Sequence, residues 1–404
     1  MILVDEKLGL FLEFKTYQRN DFSLYDYSSK EIRIINTIIE SGTFIARKKS
    51  DIIRVNRQSD IMQKAGEELL FRIRINKNGQ FILENPLPMN NIPFTEYNVN
   101  NLNNKFWYVL NSNNPNDIIR NEEYHLCEND IIKMGNIKLI VKKICIKSKE
   151  EEQIDNNQNI CNYDINSLNK DAGSIFNFLP SQKKYYIDDK NEKECYICQK
   201  NKCSEENPII GFCECNYVHF ECLKKKFKKN ESIHERRNVK NYLFNACNCK
   251  KCNFVYPLRF KIDQLGQAFQ LDDIDEPNEG DYIVLESIEY KTYYNYIKSI
   301  HVVQLDRENI IIGRAMSNNI IVRDPSISKI HAELQYDLEN KKITIKNKST
   351  KFGTSILVKK AILINDKAIQ IQIGRTLIET KIMKIGQFEK IVNEFTQRPL
   401  PKKD

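Results

Sequence analysis

Residues 310–337, IIIGRAMSNNIIVRDPSISKIHAELQYD, determine the fold class of the C-terminal part of the chain. They contain short apolar runs bounded by Pro, Asn, Asp and Gly, and similar runs continue to residue 374. Short strands at such close spacing favour an antiparallel β-sandwich over a βαβ fold. We predict strands in NIIVRD, HAELQYD, KITIKN, TSILV and AIQIQIG.

Three short motifs stand at the turns between these strands: Gly313-Arg314, Ser328-x-x-His331 and Gly353-Thr354. With the closing AIQIQIGRTLIETKI, they make about 100 residues resemble the forkhead-associated (FHA) domain. The resemblance implies a β-sandwich that binds a phosphothreonine-containing protein. It implies structural roles for Gly313 and His331, which would brace the loops. It also implies a set of phosphopeptide contacts: Arg314, Ser328, Lys329 and Lys351.

The chemistry of these residues agrees with phosphate recognition. A phosphothreonine carries nearly two negative charges and three acceptor oxygens, and a permanently charged guanidinium with hydroxyl donors can hold it. One departure concerns selectivity. The family usually has Thr/Ser-Asn-Gly-Thr where this chain has Lys351-Phe352-Gly353-Thr354, so the sequence does not specify the preferred peptide.

Nine of the twelve cysteines lie between residues 195 and 252. A disulfide scaffold would need an export signal, and a nucleophilic cysteine would not come with eight others. Ligand pairs at C-x2-C or C-x-C spacing instead suit tetrahedral zinc. We therefore expect two Zn²⁺ ions per chain on four pairs: Cys195/Cys198, Cys213/Cys215, His219/Cys222 and Cys249/Cys252.

The order of these ligands, with CYIC, YVHFECL and CNCKKCNFVY, resembles the RING-CH (RING-variant) finger over about 60 residues. In that family the first and third pairs share one zinc, and the second and fourth pairs share the other. The resemblance implies that the finger recruits a ubiquitin-conjugating enzyme, with Ile197 on the contact surface. A plant-homeodomain finger has the same ligand order, but it expects an aromatic residue where Cys247 stands.

This chain departs from the RING-CH pattern at three places. The loop from Cys215 to His219 is short, and Cys203 and Cys247 are spare thiols, of which Cys247 is an alternative to Cys249 as a ligand. Lys226 stands where the family often has a Trp that helps to dock the conjugating enzyme. The departure at Lys226 bears on ligase activity more than on the zinc fold.

The N-terminal block also has a β pattern. FRIRINKNGQFILENP (71–86) alternates apolar and basic residues around an Asn-Gly turn, which predicts a hairpin. LCENDIIKMGNIKLIVKKI (126–144) is similar to the final strands of an FHA domain and matches LINDKAIQIQIG (363–374). Because Gly-Arg and Ser-x-x-His motifs are absent upstream, a degenerate FHA-like sandwich and an unrelated small β domain are both open.

The bulk properties limit the function classes. The chain has 404 residues, 41% of them hydrophobic, a net charge of +8, and no apolar run long enough to cross a bilayer. The charged N-terminus, Asp5 to Lys7, argues against a signal peptide, so we expect a cytoplasmic or nuclear protein. The lysine run at 224–229 favours a solvated face over a nucleic-acid surface.

We predict a mainly β, multidomain chain. The predicted units are an N-terminal β-rich domain (1–146), a linker (147–192), a RING-CH-type finger (193–258), a second linker (259–281), an FHA domain (282–392) and a tail (393–404). The leading functional hypothesis is a phosphothreonine-directed RING-type ubiquitin ligase. The alternative is a non-catalytic, phospho-dependent scaffold whose finger is a protein-interaction module, and the enzyme assignment stays open between them.

Overall fold

A computed structural model describes residues 8–17, 32–48, 51–55, 67–85, 102, 105–110, 123–146, 185–186, 193–245, 247–262, 265–288, 290–291, 296–306, 309–349, 351–359, 361–365 and 368–386. Within these ranges the chain forms 28 strands and one helix. The expectation of a mainly β protein is therefore confirmed. No helix in the described part is long and apolar enough to span a membrane.

The N-terminal block supplies ten strands: β1 (Leu8–Tyr17), β2 (Ile32–Ile39), β3 (Thr43–Lys48), β4 (Asp51–Val55), β5 (Glu67–Ile75), β6 (Phe81–Glu84), β7 (Trp107–Leu110), β8 (Glu123–His125), β9 (Ile131–Met134) and β10 (Ile137–Cys145). β5 and β6 pair as the predicted hairpin. Gly79 has a φ of +77° in their turn, a conformation that Gly adopts without strain. The hairpin prediction is confirmed.

The middle of the chain carries β11 (Tyr185–Tyr186), β12 (Ile209–Cys213), β13 (Asn216–His219), α1 (Phe220–Lys229), β14 (Glu231–Arg236), β15 (Val239–Asn245), β16 (Arg259–Ile262) and β17 (Gln267–Gln270). The C-terminal block carries β18 (Asp281–Ser287), β19 (Tyr290–Lys291), β20 (Tyr296–Leu305), β21 (Ile310–Gly313), β22 (Ile320–Ile321), β23 (Ala332–Asp337), β24 (Lys342–Asn347), β25 (Thr354–Leu357), β26 (Ile362–Leu363), β27 (Ile369–Ile373) and β28 (Thr376–Lys384).

A single 13-stranded sheet connects the two ends of the chain. Its strand order is β14-β15-β20-β18-β10-β9-β25-β7-β27-β28-β1-β2, with β19 attached to β20. Two five-stranded sheets accompany it, β4-β3-β5-β6-β26 and β22-β21-β23-β24-β8. The pair β25–β7 lies at the centre of this order. Outward from it, one half of the sheet has the order β25-β9-β10-β18-β20, and the other half has the equivalent order β7-β27-β28-β1-β2. The chain therefore contains two sandwiches with the same strand order.

The two sandwiches exchange their last three strands. β8, β9 and β10 come from the N-terminal block but pair with β24, β25 and β18. Conversely, β26, β27 and β28 pair with β6, β7 and β1. The stretches 126–144 and 363–374, whose sequences are similar, thus occupy equivalent places, each in the other block's sandwich.

Alternation along the central strands gives the shared sheet two buried faces. Tyr108, Ile132 and Ile356 point to the main core, as period-two strands require. Trp107 and Leu357, one residue out of phase, pack in a smaller cluster on the opposite face. Because residues of both blocks contribute to the main core, the blocks share one hydrophobic interior.

The middle segment forms a second core together with side chains of β18 and β20, among them Val284 and Ile300. Its core includes Phe212, Phe220 and Phe260, and the Phe212 and Phe260 ring centroids are 5.0 Å apart. β15 pairs along its length with β20. The segment 193–258, which the sequence predicts to be a zinc finger, is thus an extension of the sandwich edge.

The domain boundaries stay a prediction, but the structure describes parts of them. β16 and β17 pair within the stretch 259–281, predicted as a linker, and bury Phe260 and Phe269 in stacked contact at 5.5 Å. That part of the linker is therefore folded. Most of the predicted linker 147–192 and all of the tail 393–404 lie outside the described residues.

Candidate functional site

The first candidate site is formed by loops at one end of the C-terminal sandwich. β21 ends at Gly313, where a Cβ atom would lie only 2.3 Å from the carbonyl oxygen of Lys329. A side chain here would force the two loops apart. Glycine is therefore required for close approach of the loops, as the FHA resemblance implies.

Arg314 follows directly and is held in place by the facing loop. Its backbone N–H donates to the carbonyl of Ser328 at 2.9 Å, and its Nε donates to the carbonyl of Ile327 at 3.2 Å. The residue as a whole is exposed. The guanidinium is thus anchored through Nε and can offer its remaining N–H groups to a ligand.

His331 braces two loops from the interior. Its Nδ1 accepts the backbone N–H of Ser328 at 3.0 Å, and its Nε2 donates to the carbonyl of Gly353 at 2.9 Å. Burial lowers the pKa of His331 to about 4, although the bond to Gly353 acts in the opposite direction. The imidazole is therefore neutral at physiological pH, with one donor and one acceptor. The predicted bracing role is confirmed.

Ser328 is bonded to a residue that sequence reasoning missed. Its hydroxyl lies 2.9 Å from the Ser349 hydroxyl, and Ser349 is held by a backbone N–H bond to the Asn347 side chain at 3.1 Å. Asn347 also accepts from the Thr354 hydroxyl at 2.9 Å. A polar Asn-x-Ser run just before Gly353-Thr354 is the signal that could have indicated this network.

The two predicted lysine contacts are exposed on the same set of loops. Lys329 follows Ser328, and Lys351 lies beside Phe352 with its Nζ 5.1 Å from the ring centroid. The arrangement thus combines exposed cations with a hydroxyl pair and backbone groups. Such a set can bind a dianionic phosphate through charge-assisted hydrogen bonds.

The second candidate site comprises two Cys/His clusters in the finger. Cys195, Cys198, His219 and Cys222 form one cluster, in which all ligand atoms lie within 4.8 Å of one another. The His219 Nε2 donates to the carbonyl of Lys202 at 2.7 Å, which directs Nδ1 to the thiols, 3.3 Å from Cys198 Sγ. A hydrogen bond from the other ring nitrogen to a backbone carbonyl fixes the tautomer of a ligating histidine.

Cys213, Cys215, Cys249 and Cys252 form the other cluster within the same distance. Both clusters use the same kind of turn. Gln199 and Asn253 have φ values of 58° and 62°, and their N–H groups bond to the carbonyls of Cys195 and Cys249. The division of the eight residues is the one that the RING-CH resemblance implies. Cys203 and Cys247 lie in neither cluster.

A third feature is an exposed apolar surface on the finger. Tyr196, Ile197 and Phe254 are 38%, 40% and 40% exposed. Lys226 lies at its edge, with Nζ 3.1 Å from the Tyr196 hydroxyl and 5.7 Å from the Tyr256 ring centroid. The cation therefore sits over aromatic rings, where it is favourably placed.

The lysine run at 224–229 lies on α1. Lys224 is 3.1 Å from Asp273, and Lys228 is 3.4 Å from Glu231. These pairs partly neutralise the run, which agrees with a solvated helix face.

Residues 310–377 match the family model of the FHA domain, so the C-terminal block contains an FHA domain. No RING-CH or ubiquitin-ligase family match is found for the chain. No curated protein and no solved structure is significantly similar to it.

Proposed function

We propose that the protein binds a phosphothreonine-containing partner through Arg314, Ser328, Lys329 and Lys351. FHA domains bind phosphothreonine-containing partners, and this chain contains such a domain. The observation that carries the proposal is the position of Arg314, exposed and anchored by Ile327 beside the Ser328–Ser349 hydroxyl pair.

Binding to a phosphothreonine peptide library tests the proposal. The wild type is expected to bind phosphothreonine peptides and not their unphosphorylated forms. Arg314→Ala is expected to lose tenfold or more in affinity, because a charge-assisted bond to phosphate contributes about 1.5–3 kcal/mol. Lys342→Glu, at the far end of β24, is the matched control. Unchanged binding by Arg314→Ala would refute the proposed site.

We further propose that the two Cys/His clusters each hold a Zn²⁺ ion. Three thiolates with one imidazole, or four thiolates, suit zinc, and four protein ligands per ion make a closed, structural site. The metal would then stabilise the finger rather than react.

For the finger we propose recruitment of a ubiquitin-conjugating enzyme, which would make the protein a phosphothreonine-directed ubiquitin ligase of the cytoplasm or nucleus. Exposed Ile197 beside Tyr196 and Phe254 supports this, since an apolar surface patch often marks a protein interface. The alternative is a non-catalytic scaffold. Lys226 favours it, because its charge lies over Tyr196 at the edge of the same surface.

A ubiquitination assay separates the two candidates. Purified protein is incubated with activating enzyme, ubiquitin and a panel of conjugating enzymes. A ligase is expected to build chains with at least one of them, and Ile197→Ala is expected to abolish chain formation without loss of bound zinc. Inactivity with the whole panel, in protein that binds two zinc ions, would support the scaffold.

A further inference from the structure

The β14–β15 hairpin of the finger lies directly beside the phosphate-binding loops. β15 is bonded to β20, and the Asn241 side chain donates to the carbonyl of Asn319 at 3.2 Å. Its other side-chain atom accepts from His301 Nδ1 at 2.8 Å. Asn241 is 3% exposed, so this buried link fixes the hairpin against the loop that follows Arg314.

A groove lies between the hairpin and this loop. The hairpin contributes His234, Arg236 and Leu243, and the FHA domain contributes Met316, Ile321 and Arg323. The groove opens to solvent, and the roughly 340 Å³ between its walls includes that open solvent. It is therefore shallow, and it suits the end of a single side chain that reaches it from solvent.

The groove and the proposed phosphate site share the loop that follows Arg314. Met316 lies two residues after Arg314 in the same loop and is 55% exposed. Arg323 crosses this loop, with Nη2 3.8 Å from the Met316 sulfur. A peptide whose phosphothreonine is bound at Arg314 would thus extend toward the hairpin.

Both walls of the groove carry basic side chains. None of the described residues that line it is acidic. Glu235 lies between His234 and Arg236 in sequence, but strand alternation turns it to the other face, where it pairs with Lys240 at 3.1 Å. An anion in the groove would consequently meet basic groups and apolar Leu243 and Ile321.

We infer that this groove binds an anionic side chain that flanks the phosphothreonine in the same peptide. The finger would then contribute directly to peptide selectivity. The inference rests on the proposed phosphothreonine binding and goes beyond it, because the selectivity would come from residues outside the FHA domain. A carboxylate and a second phosphate share the required chemistry, and the experiment distinguishes them.

The test uses full-length protein and fluorescent phosphothreonine peptides. Three matched sets carry Asp or Glu, phosphoserine, or Ala at each position from four before to four after the phosphothreonine. The wild type is expected to prefer an anionic residue over Ala by about two- to fivefold at one or two positions, as partly exposed charge pairs allow. The set with the larger ratio identifies the carboxylate or the phosphate.

Charge reversal then assigns the preference to the groove. In Arg236→Glu and Arg323→Glu the ratio of anionic to Ala peptides is expected to fall to one or below, whereas Lys342→Glu keeps the wild-type ratio. An unchanged ratio of anionic to Ala peptide affinity in both groove variants, or no such preference in the wild type, would overturn the inference. The proposed function would still stand in that case if binding depends on Arg314. No binding to any phosphothreonine peptide would overturn both.

Discussion

Removal of residues 1–146 is expected to unfold the FHA domain, although every proposed phosphate contact lies within 282–392. Three strands that complete its sandwich, β8, β9 and β10, belong to the removed segment. Without them β25 loses both of its neighbours, since β7 is removed as well. The fragment would expose unpaired strand edges and part of its core.

The magnitude follows from the buried side chains. Seven apolar residues between 123 and 141 lie in the main core: Tyr124, Leu126, Ile132, Met134, Ile137, Leu139 and Val141. At about 1.5–3 kcal/mol each, their loss removes roughly 10–20 kcal/mol as an upper estimate. A whole domain is stable by only about 5–15 kcal/mol. The fragment 282–392 should therefore not fold alone.

The assay compares three preparations by thermal unfolding and phosphothreonine-peptide binding. Fragment 282–392 alone is expected to show no cooperative transition and no binding. Co-expression with 1–146 should restore both, because every exchanged strand is then present, whereas co-expression with 1–101, which lacks β7 to β10, should not. A monomeric 282–392 fragment that unfolds cooperatively and binds through Arg314 would refute the reasoning. In that case its own β26, β27 and β28 would have taken the places of β8, β9 and β10.

Three further predictions concern Lys133, His331 and the two Cys/His clusters. Burial, with a smaller effect of Lys138, lowers the pKa of Lys133 to about 7. The unfolded chain therefore binds more protons than the folded chain between about pH 7 and 10.5. Because of this difference, the wild type gains stability as pH rises through that window. Lys133→Met should raise the free energy of unfolding at pH 7 by about 1–3 kcal/mol and flatten this rise in denaturant titrations; an unchanged pH profile would contradict the burial. His331→Ala should lower phosphopeptide affinity tenfold or more, because Ser328 and Gly353 lose their brace; retained affinity with a normal melting temperature would argue against bracing. Elemental analysis should give two zinc ions per chain, and a chelator should unfold the finger. A circular dichroism spectrum that does not change on chelation would contradict the predicted unfolding.

The local parts of both sites are predictable from sequence because neighbouring residues determine them. Glycine at position 313 permits the close approach of two loops beside Arg314, and a C-x2-C pair forms within one turn. The residues of each motif therefore determine its local geometry. The hairpin at 71–86 is likewise specified by Asn78-Gly79. These features depend little on the rest of the chain.

The strand exchange could not be predicted in this way. The apolar residues of β9 suit a buried strand, yet Ile132 meets Ile356, more than 200 residues away. Nothing within Ile131–Met134 distinguishes that partner from a strand of its own block. Only the likeness of 126–144 to 363–374 pointed to equivalent places, and it did not reveal that the places are exchanged.

The stretch 259–281 shows a second limit. Its acidic residues are typical of a solvated joint, but Asp272 is 1% exposed and lies 3.3 Å from Arg259. Burial raises the pKa of Asp272, and the Arg259 charge opposes this. An ion pair between the buried Asp272 and the partly exposed Arg259 holds the end of the β16–β17 hairpin, so part of this polar stretch is folded.

The position of the finger in the chain explains how it can sit at a fixed distance from the phosphate site. It is inserted between β10 and β18, which pair directly, with Cys145 opposite Tyr282. The two ends of the insertion therefore meet in one ladder, an arrangement that lets a domain be inserted without disturbing its host. The pairing of β15 with β20 attaches the finger a second time, at the edge of the same sheet. Two attachments on adjoining strands leave little freedom for hinge motion. A partner held at Arg314 and one held at Ile197 would thus be presented in a geometry set by the sheet rather than by linker length.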